Sequence, residues 1–226
     1  MSLGHRSLTG RDRIHVVDVD DLGGALHPEV VEPLRAMRET AAGDGIDVRV
    51  VSGFRDFDRQ LRIWNAKFRG ELPIFDRAGR EVERWRLRDD EAIDAILTWS
   101  ALPGASRHHW GTDLDIVDAA GAGGGYEPRL VAAEFGVGGP FARLGTWLDE
   151  NLDGSGFFRP YDRDRGVAPE PWHVSYAPVA VEAQAALTRE MIADAIGTAD
   201  MARRDLVLER LDELMERYVT NVASHG

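Results

Sequence analysis

The stretch SRHHWGTDLD, residues 106–115, sets two adjacent histidines and two aspartates around a Trp-Gly step. Its continuation, TDLDIVD, alternates with period two, so Asp113 and Asp115 share one face of a short strand and Leu114 and Ile116 the other. A tight turn at Trp110-Gly111 folds the chain back and brings a histidine, His108 or His109, towards Asp115. A ligand pair binds metal weakly, whereas a catalytic zinc site takes three protein ligands and keeps one open position. The remaining sequence has to decide between a metal site and a polar turn entering a buried strand.

A second cluster supplies the missing groups. EPWH, residues 170–173, offers a carboxylate and an imidazole three apart, just before the alternating HVSY. His173 can be the third ligand, and Glu170 can stand beside the open position as general base. A third element is SGFRDFDRQ, residues 52–60, in which Arg55 lies where the strand of IDVRVVSGFR ends. From there a fixed guanidinium reaches across a cleft, and such a donor to a forming oxyanion typically contributes a few kcal/mol.

In this order, SGFRDFDRQ, SRHHWGTDLD and EPWH resemble the D-alanyl-D-alanine carboxypeptidase family of zinc peptidases. That family holds the vancomycin-resistance carboxypeptidases and dipeptidases, within the superfamily of lysostaphin and the hedgehog signalling domain. Its pattern Ser-x-His-x-x-Gly-x-x-x-Asp falls on Ser106, His108, Gly111 and Asp115, and this selects His108 over His109, which spacing alone does not. The resemblance implies zinc (Zn) held by His108, Asp115 and His173, with Glu170 as base and Arg55 as the transition-state arginine. Ser106, Gln60 and Asp113 are the expected substrate contacts; Asp113 stands where the family often has a small residue. WLDENLDGSGFFRPY, residues 147–161, also looks like the helix and strand before the family's last motif. The likeness covers roughly residues 45 to 177.

The resemblance implies a carboxypeptidase acting on peptidoglycan-type peptides. The competing readings are a D-Ala-D-Ala dipeptidase, a lysin-type endopeptidase and a non-catalytic, metal-stabilised binding domain. A binding module needs neither Glu170 nor Arg55, so both together favour catalysis. A periplasmic or extracellular location is expected from the substrate class.

Working outward, HPEVVEPLRAMRETAAGDG (27–45) has Val30, Val31, Leu34 and Met37 at helical spacing after a proline start. Residues 56–70, 89–102 and 140–152 also read as helices; 70–90 is a charged surface excursion, and AAGAGGGYEP (119–128) a flexible glycine-rich connection. Residues 179–196 and 202–219 each read as one helix, packing back on the domain or on a partner copy. The expected fold is α+β: a small, mainly antiparallel sheet flanked by helices over 1–177, with a helical extension over 178–226 that offers a route to oligomers.

The composition narrows the chemistry. A formal charge of −12 over 226 residues disfavours nucleic acid as a partner. The absence of cysteine rules out thiolate ligands and disulfides. No apolar run approaches a membrane span. Met1 to Leu3 have the form of an expression-vector remnant, in which case a native export signal has been cut away. Lys67 is the only lysine; all other basic side chains except histidine are arginine.

Overall fold

The computed structural model describes residues 3–223 and 225; Met1 and Ser2 of the expected vector remnant lie outside them. The chain opens with a one-turn helix α1 (His5–Leu8) and a hairpin of β1 (Val17–Val19) and β2 (Gly24–Leu26). Helix α2 (Pro28–Gly43), strand β3 (Val48–Ser52) and helix α3 (Phe57–Phe68) follow. A small hairpin, β4 (Ile74–Phe75) and β5 (Glu81–Val82), leads to α4 (Asp89–Trp99). Next come strand β6 (Asp113–Asp118), the single turns α5 (Ala119–Ala122) and α6 (Ala132–Phe135), α7 (Ala142–Asn151), β7 (Phe157–Phe158) and β8 (His173–Tyr176). The tail forms α8 (Ala177–Ala186), α9 (Arg189–Gly197), α10 (Arg204–Glu209), α11 (Leu211–Leu214) and a π-helical turn, Met215–Val219.

The central sheet has the order β3-β6-β8-β7 and is antiparallel throughout. This is the expected α+β arrangement. Helix starts follow local chemistry. Pro28 occupies the first turn of α2, where its missing N–H costs nothing, and the Asp56 carboxylate caps α3 by accepting from the Arg59 N–H at 2.6 Å.

Two apolar clusters hold the fold. One lies between the sheet and helices α2 and α7, and includes Leu34, Val48, Leu114, Ile116, Leu144 and Val174. The other joins α3 and α4 to the tail through Trp64, Ile93, Ile96, Ile192, Val207 and Leu211. A fully buried side chain of this kind contributes on the order of 2 kcal/mol. The tail thus spends its apolar faces within the chain. Polar ties add to it: the Trp64 Nε1–H donates to the Ala202 carbonyl at 3.0 Å, and the Asn65 amide donates to the Asp200 carbonyl at 2.7 Å.

Three elements differ from the sequence expectation. The helix expected over 179–196 breaks at Leu187, whose backbone is extended, and Thr188 caps α9 by accepting from the Met191 N–H. The helix expected over 202–219 is interrupted at Arg210 and ends in the π turn. The 70–90 excursion is charged but not merely superficial, because Ile74 is buried in the second cluster.

Candidate metal centre and active-site cleft

Strand register builds the centre. On the adjacent strands β6 and β8, Asp115 stands opposite His173 and Asp113 opposite Ser175, so the period of two puts both aspartates beside one imidazole. The β3 register shifts between Val50 and Ser52, bringing Ser52 opposite Asp115 and sending the chain on to Arg55. Such bulges re-aim a strand end. Residues Arg107–Trp110 form a 3₁₀ turn that ends on Gly111 at φ +69°. A Cβ at Gly111 would meet Val16 Cγ1 at 2.6 Å and the His27 nitrogen at 2.8 Å, so only glycine fits there.

The turn delivers His108 to the sheet. Its Nδ1 lies 3.0 Å from the Gly53 carbonyl, which makes Nδ1–H the donor and leaves the Nε2 lone pair facing Asp115 Oδ2 at 3.4 Å. His173 is oriented the opposite way. Its Nε2–H donates to Asp113 Oδ1 at 3.0 Å, and its Nδ1 faces Asp115 Oδ1 at 3.3 Å. His108, Asp115 and His173 are buried and each offers a ligand atom, all within 4.8 Å of one another.

These separations suit a metal. Ligand atoms ~2.0–2.1 Å from a tetrahedral centre stand roughly 3.3–3.4 Å apart. Asp115 Oδ1 is also buried without a hydrogen-bond partner among the described residues, an orphan that a cation would satisfy. Electrostatics agree. Burial alone would lower the His173 pKa, but the carboxylates of Asp113, Asp115 and Glu170 around the ring outweigh it and raise it well above the usual value. Burial would likewise raise Asp115, yet His108 and His173 hold it well below the usual carboxylate range. Positive charge is favoured at this point, and a divalent cation supplies it. The donors present fit zinc.

Glu170 and Arg55 flank these three side chains. The turn Glu170–His173 is closed by the His173 N–H donating to the Glu170 carbonyl at 3.1 Å, with Pro171 at its second position. This sets Glu170 Oε2 3.2 Å from His173 Nδ1. Arg55 donates from Nη1 to Gln60 Oε1 at 2.8 Å and from Nη2 to Ser52 Oγ at 3.1 Å, and Nη2 lies 4.0 Å from Asp115 Oδ2. Its Nε is buried with no partner among the described residues.

Two of the expected substrate contacts, Asp113 and Gln60, lie outside the cleft lining. Asp113 is fully buried; it accepts from Arg107 Nε at 2.7 Å, Thr112 Oγ1 at 2.8 Å, Ser175 Oγ at 3.0 Å and His173, so all its capacity is used behind the metal site. Gln60 is fully buried too. Its carbonyl receives Arg55 and its amide donates to the Ala101 carbonyl at 2.7 Å, so it positions Arg55 and leaves nothing for substrate. Ser106 lines the cleft, and its buried hydroxyl lacks a partner among the described residues.

His109 is a structural clamp. Its Nδ1–H donates to the Arg55 carbonyl at 2.6 Å and its Nε2 accepts the Gly104 N–H at 3.2 Å, so neither nitrogen is free for metal. Burial, partly opposed by the bond to Arg55, pushes its pKa down to about 3 and keeps the ring neutral. Sequence reasoning missed Arg107, Tyr161 and Lys67. Arg107 holds Asp113 while donating to Ser175 Oγ and Gln184 Oε1. The Tyr161 ring meets His173 edge-on at 5.0 Å, and burial pushes its phenol up to about 12, so it stays a neutral donor. The run FFRPY contains Tyr161, but no spacing rule joins it to His173.

The cleft has a volume of about 310 Å³. Phe75 and Gly79 of the small hairpin, Trp99 of α4, and Tyr218 and Val219 of the π turn line it together with the ligands. Segments outside the three motifs thus shape the site.

The fold is shared with solved structures of VanY type. It matches a vancomycin-resistance D,D-pentapeptidase, VanY from a VanB-type resistance cassette, solved in complex with Zn(II), with a TM-score of 0.53 and 24% identity over 74% of this chain and 80% of that one. VanYB in complex with D-alanine-D-alanine matches with a TM-score of 0.55 and 22% identity over 84% and 92%. In sequence, a D-alanyl-D-alanine carboxypeptidase of Enterococcus faecalis is 30% identical over 66% of this chain and 47% of its own length, so the match spans about half of that protein. An uncharacterized protein of Haemophilus influenzae is 38% identical over 45% of this chain and 72% of its own. The family model described as VanY, D-alanyl-D-alanine carboxypeptidase, matches residues 23–179, and the chain belongs to that family.

Proposed function

We propose that the protein is a zinc-dependent D-alanyl-D-alanine carboxypeptidase that removes the terminal residue of peptidoglycan-type stem peptides outside the cytoplasm. The observation that carries this reading is the convergence of His108 Nε2, His173 Nδ1 and the Asp115 carboxylate beside Glu170 and the unpaired Arg55 Nε. Zinc held by His108, Asp115 and His173 would supply a Lewis acid that lowers the pKa of water to roughly 7. Glu170 takes the proton of the attacking water on its carboxylate and passes it to the leaving amine. Arg55 holds the oxyanion, its own position secured by Gln60, Ser52 and the His109 clamp on its carbonyl. Asp113 orients His173 and Tyr161 shields it, while Ser106 offers a hydroxyl to the peptide.

Walls from the 74–82 hairpin, α4 and the tail favour a chain end over a strand running through the cleft, and hence carboxypeptidase over endopeptidase action. Substitution of Glu170 tests the chemistry. Glu170→Gln is expected to retain zinc and lose turnover by roughly two to four orders of magnitude. A metal-replete variant with near-normal rates would remove Glu170 from the role of base.

A further inference from the structure

The cleft contains a cation that the hydrolytic machinery does not use. Gln60, Trp64 and Lys67 stand at i, i+4 and i+7 on one face of α3, so the helix that secures Arg55 also presents the chain's one lysine to the same cavity. Lys67 is half-buried and forms no hydrogen bond or ion pair through its side chain among the described residues. The other cations of the cavity differ from it. Arg55 is held by Gln60 and Ser52, Arg107 is spent on Asp113, Ser175 and Gln184, and Arg129 is exposed at the rim.

Withdrawing an ammonium from water is costly unless an anion answers it. The cavity carboxylates of Asp115 and Glu170 are directed at His108 and His173. Lys67 therefore has room for an anion brought in by the ligand. Resting on the peptidase reading, we infer that Lys67 receives the terminal carboxylate of the peptide and makes the enzyme selective for a free C-terminus. The division of labour is chemical. Arg55 is held in one position by Gln60 and Ser52, whereas Lys67 carries a point charge on a flexible stem with no side-chain partner among the described residues. Burial pushes the Lys67 ammonium down to about 8, Glu170 opposing the fall and Arg55 adding to it, so the group is mostly cationic at neutral pH.

The test uses the zinc-loaded full chain and two pentapeptides ending in D-Ala-D-Ala, one with a free carboxylate and one with a C-terminal amide. Lys67→Met should raise KM for the free acid at least about tenfold, with kcat and zinc content within about twofold of wild type. Lys67→Arg should recover most of the loss. Amidation should raise the wild-type KM by a similar factor and leave that of Lys67→Met nearly unchanged. Lys67→Gln gives the same comparison if the methionine variant does not fold. Equal KM values for wild type and both neutral variants, or an acid-selective loss in Arg129→Gln instead, would overturn the assignment of Lys67 alone. Failure of the wild type to cleave any peptide would overturn the peptidase reading and this inference with it.

Discussion

Replacing Asp113 with asparagine separates a residue that orients a ligand from one that touches substrate. The carboxylate accepts four hydrogen bonds in a fully buried position, from Arg107, Thr112, Ser175 and His173. An amide of the same shape has one accepting oxygen. With that oxygen kept towards Arg107 and His173, the amide N–H groups face Thr112 and Ser175, whose hydroxyls can rotate to accept them. Geometry survives, but the negative charge is gone. His173 becomes a weaker base towards metal, and loss of such a supporting group typically costs 10–100-fold in affinity. That factor corresponds to about 1.4–2.7 kcal/mol. Arg107 loses its buried counter-ion, and breaking a buried pair costs ~3–5 kcal/mol. The lower end, about 3 kcal/mol, is expected because Arg107 keeps Ser175 and Gln184. Competition against a chromophoric chelator measures the zinc Kd, and urea unfolding of the metal-free protein measures stability. A Kd within twofold of wild type at unchanged stability would refute the orienting role, and a rise in KM at constant zinc affinity would return Asp113 to the substrate.

Other substitutions probe the neighbours of that network. His108→Ala should lose most of its zinc, since structural zinc binding is on the order of 10 kcal/mol and one of three protein ligands is removed; metal analysis after dialysis reads it. His109→Ala should keep zinc yet lower kcat, because the clamp on the Arg55 carbonyl is released; an empty site in this variant alone would reverse the assignment of the two histidines. Arg55→Lys should lower kcat by roughly 10²–10³ with little change in KM, and a pure KM effect at full zinc content would make Arg55 a substrate anchor instead.

How much of this was legible in the sequence depended on the range of the interactions. Period-two patterning announced the strands Val48–Ser52 and Asp113–Asp118, and the expected sharing of one face by Asp113 and Asp115 follows from backbone geometry alone. The choice between His108 and His109 was not local. It turns on the Gly53 carbonyl for one ring, and on the Arg55 carbonyl and Gly104 N–H for the other, which come together only in the folded chain. Gln60 and Asp113 are polar residues inside recognisable motifs, but residue type does not reveal that both spend their hydrogen bonds internally. In the tail, apolar spacing runs unbroken through Leu187 and Thr188, so periodicity suggests one helix where the Thr188 cap starts a second. Charge dominates residues 70–90 and concealed that Phe75 and Gly79 line the cleft.

The most direct measurement is product identification by mass. Zinc-loaded protein, with and without chelator, is incubated with a muramyl-type pentapeptide, a tetrapeptide and free D-Ala-D-Ala. Release of a single D-alanine from the pentapeptide, abolished by chelator and restored by zinc, is the expected result. No cleavage of any of the three at one zinc per chain would contradict it.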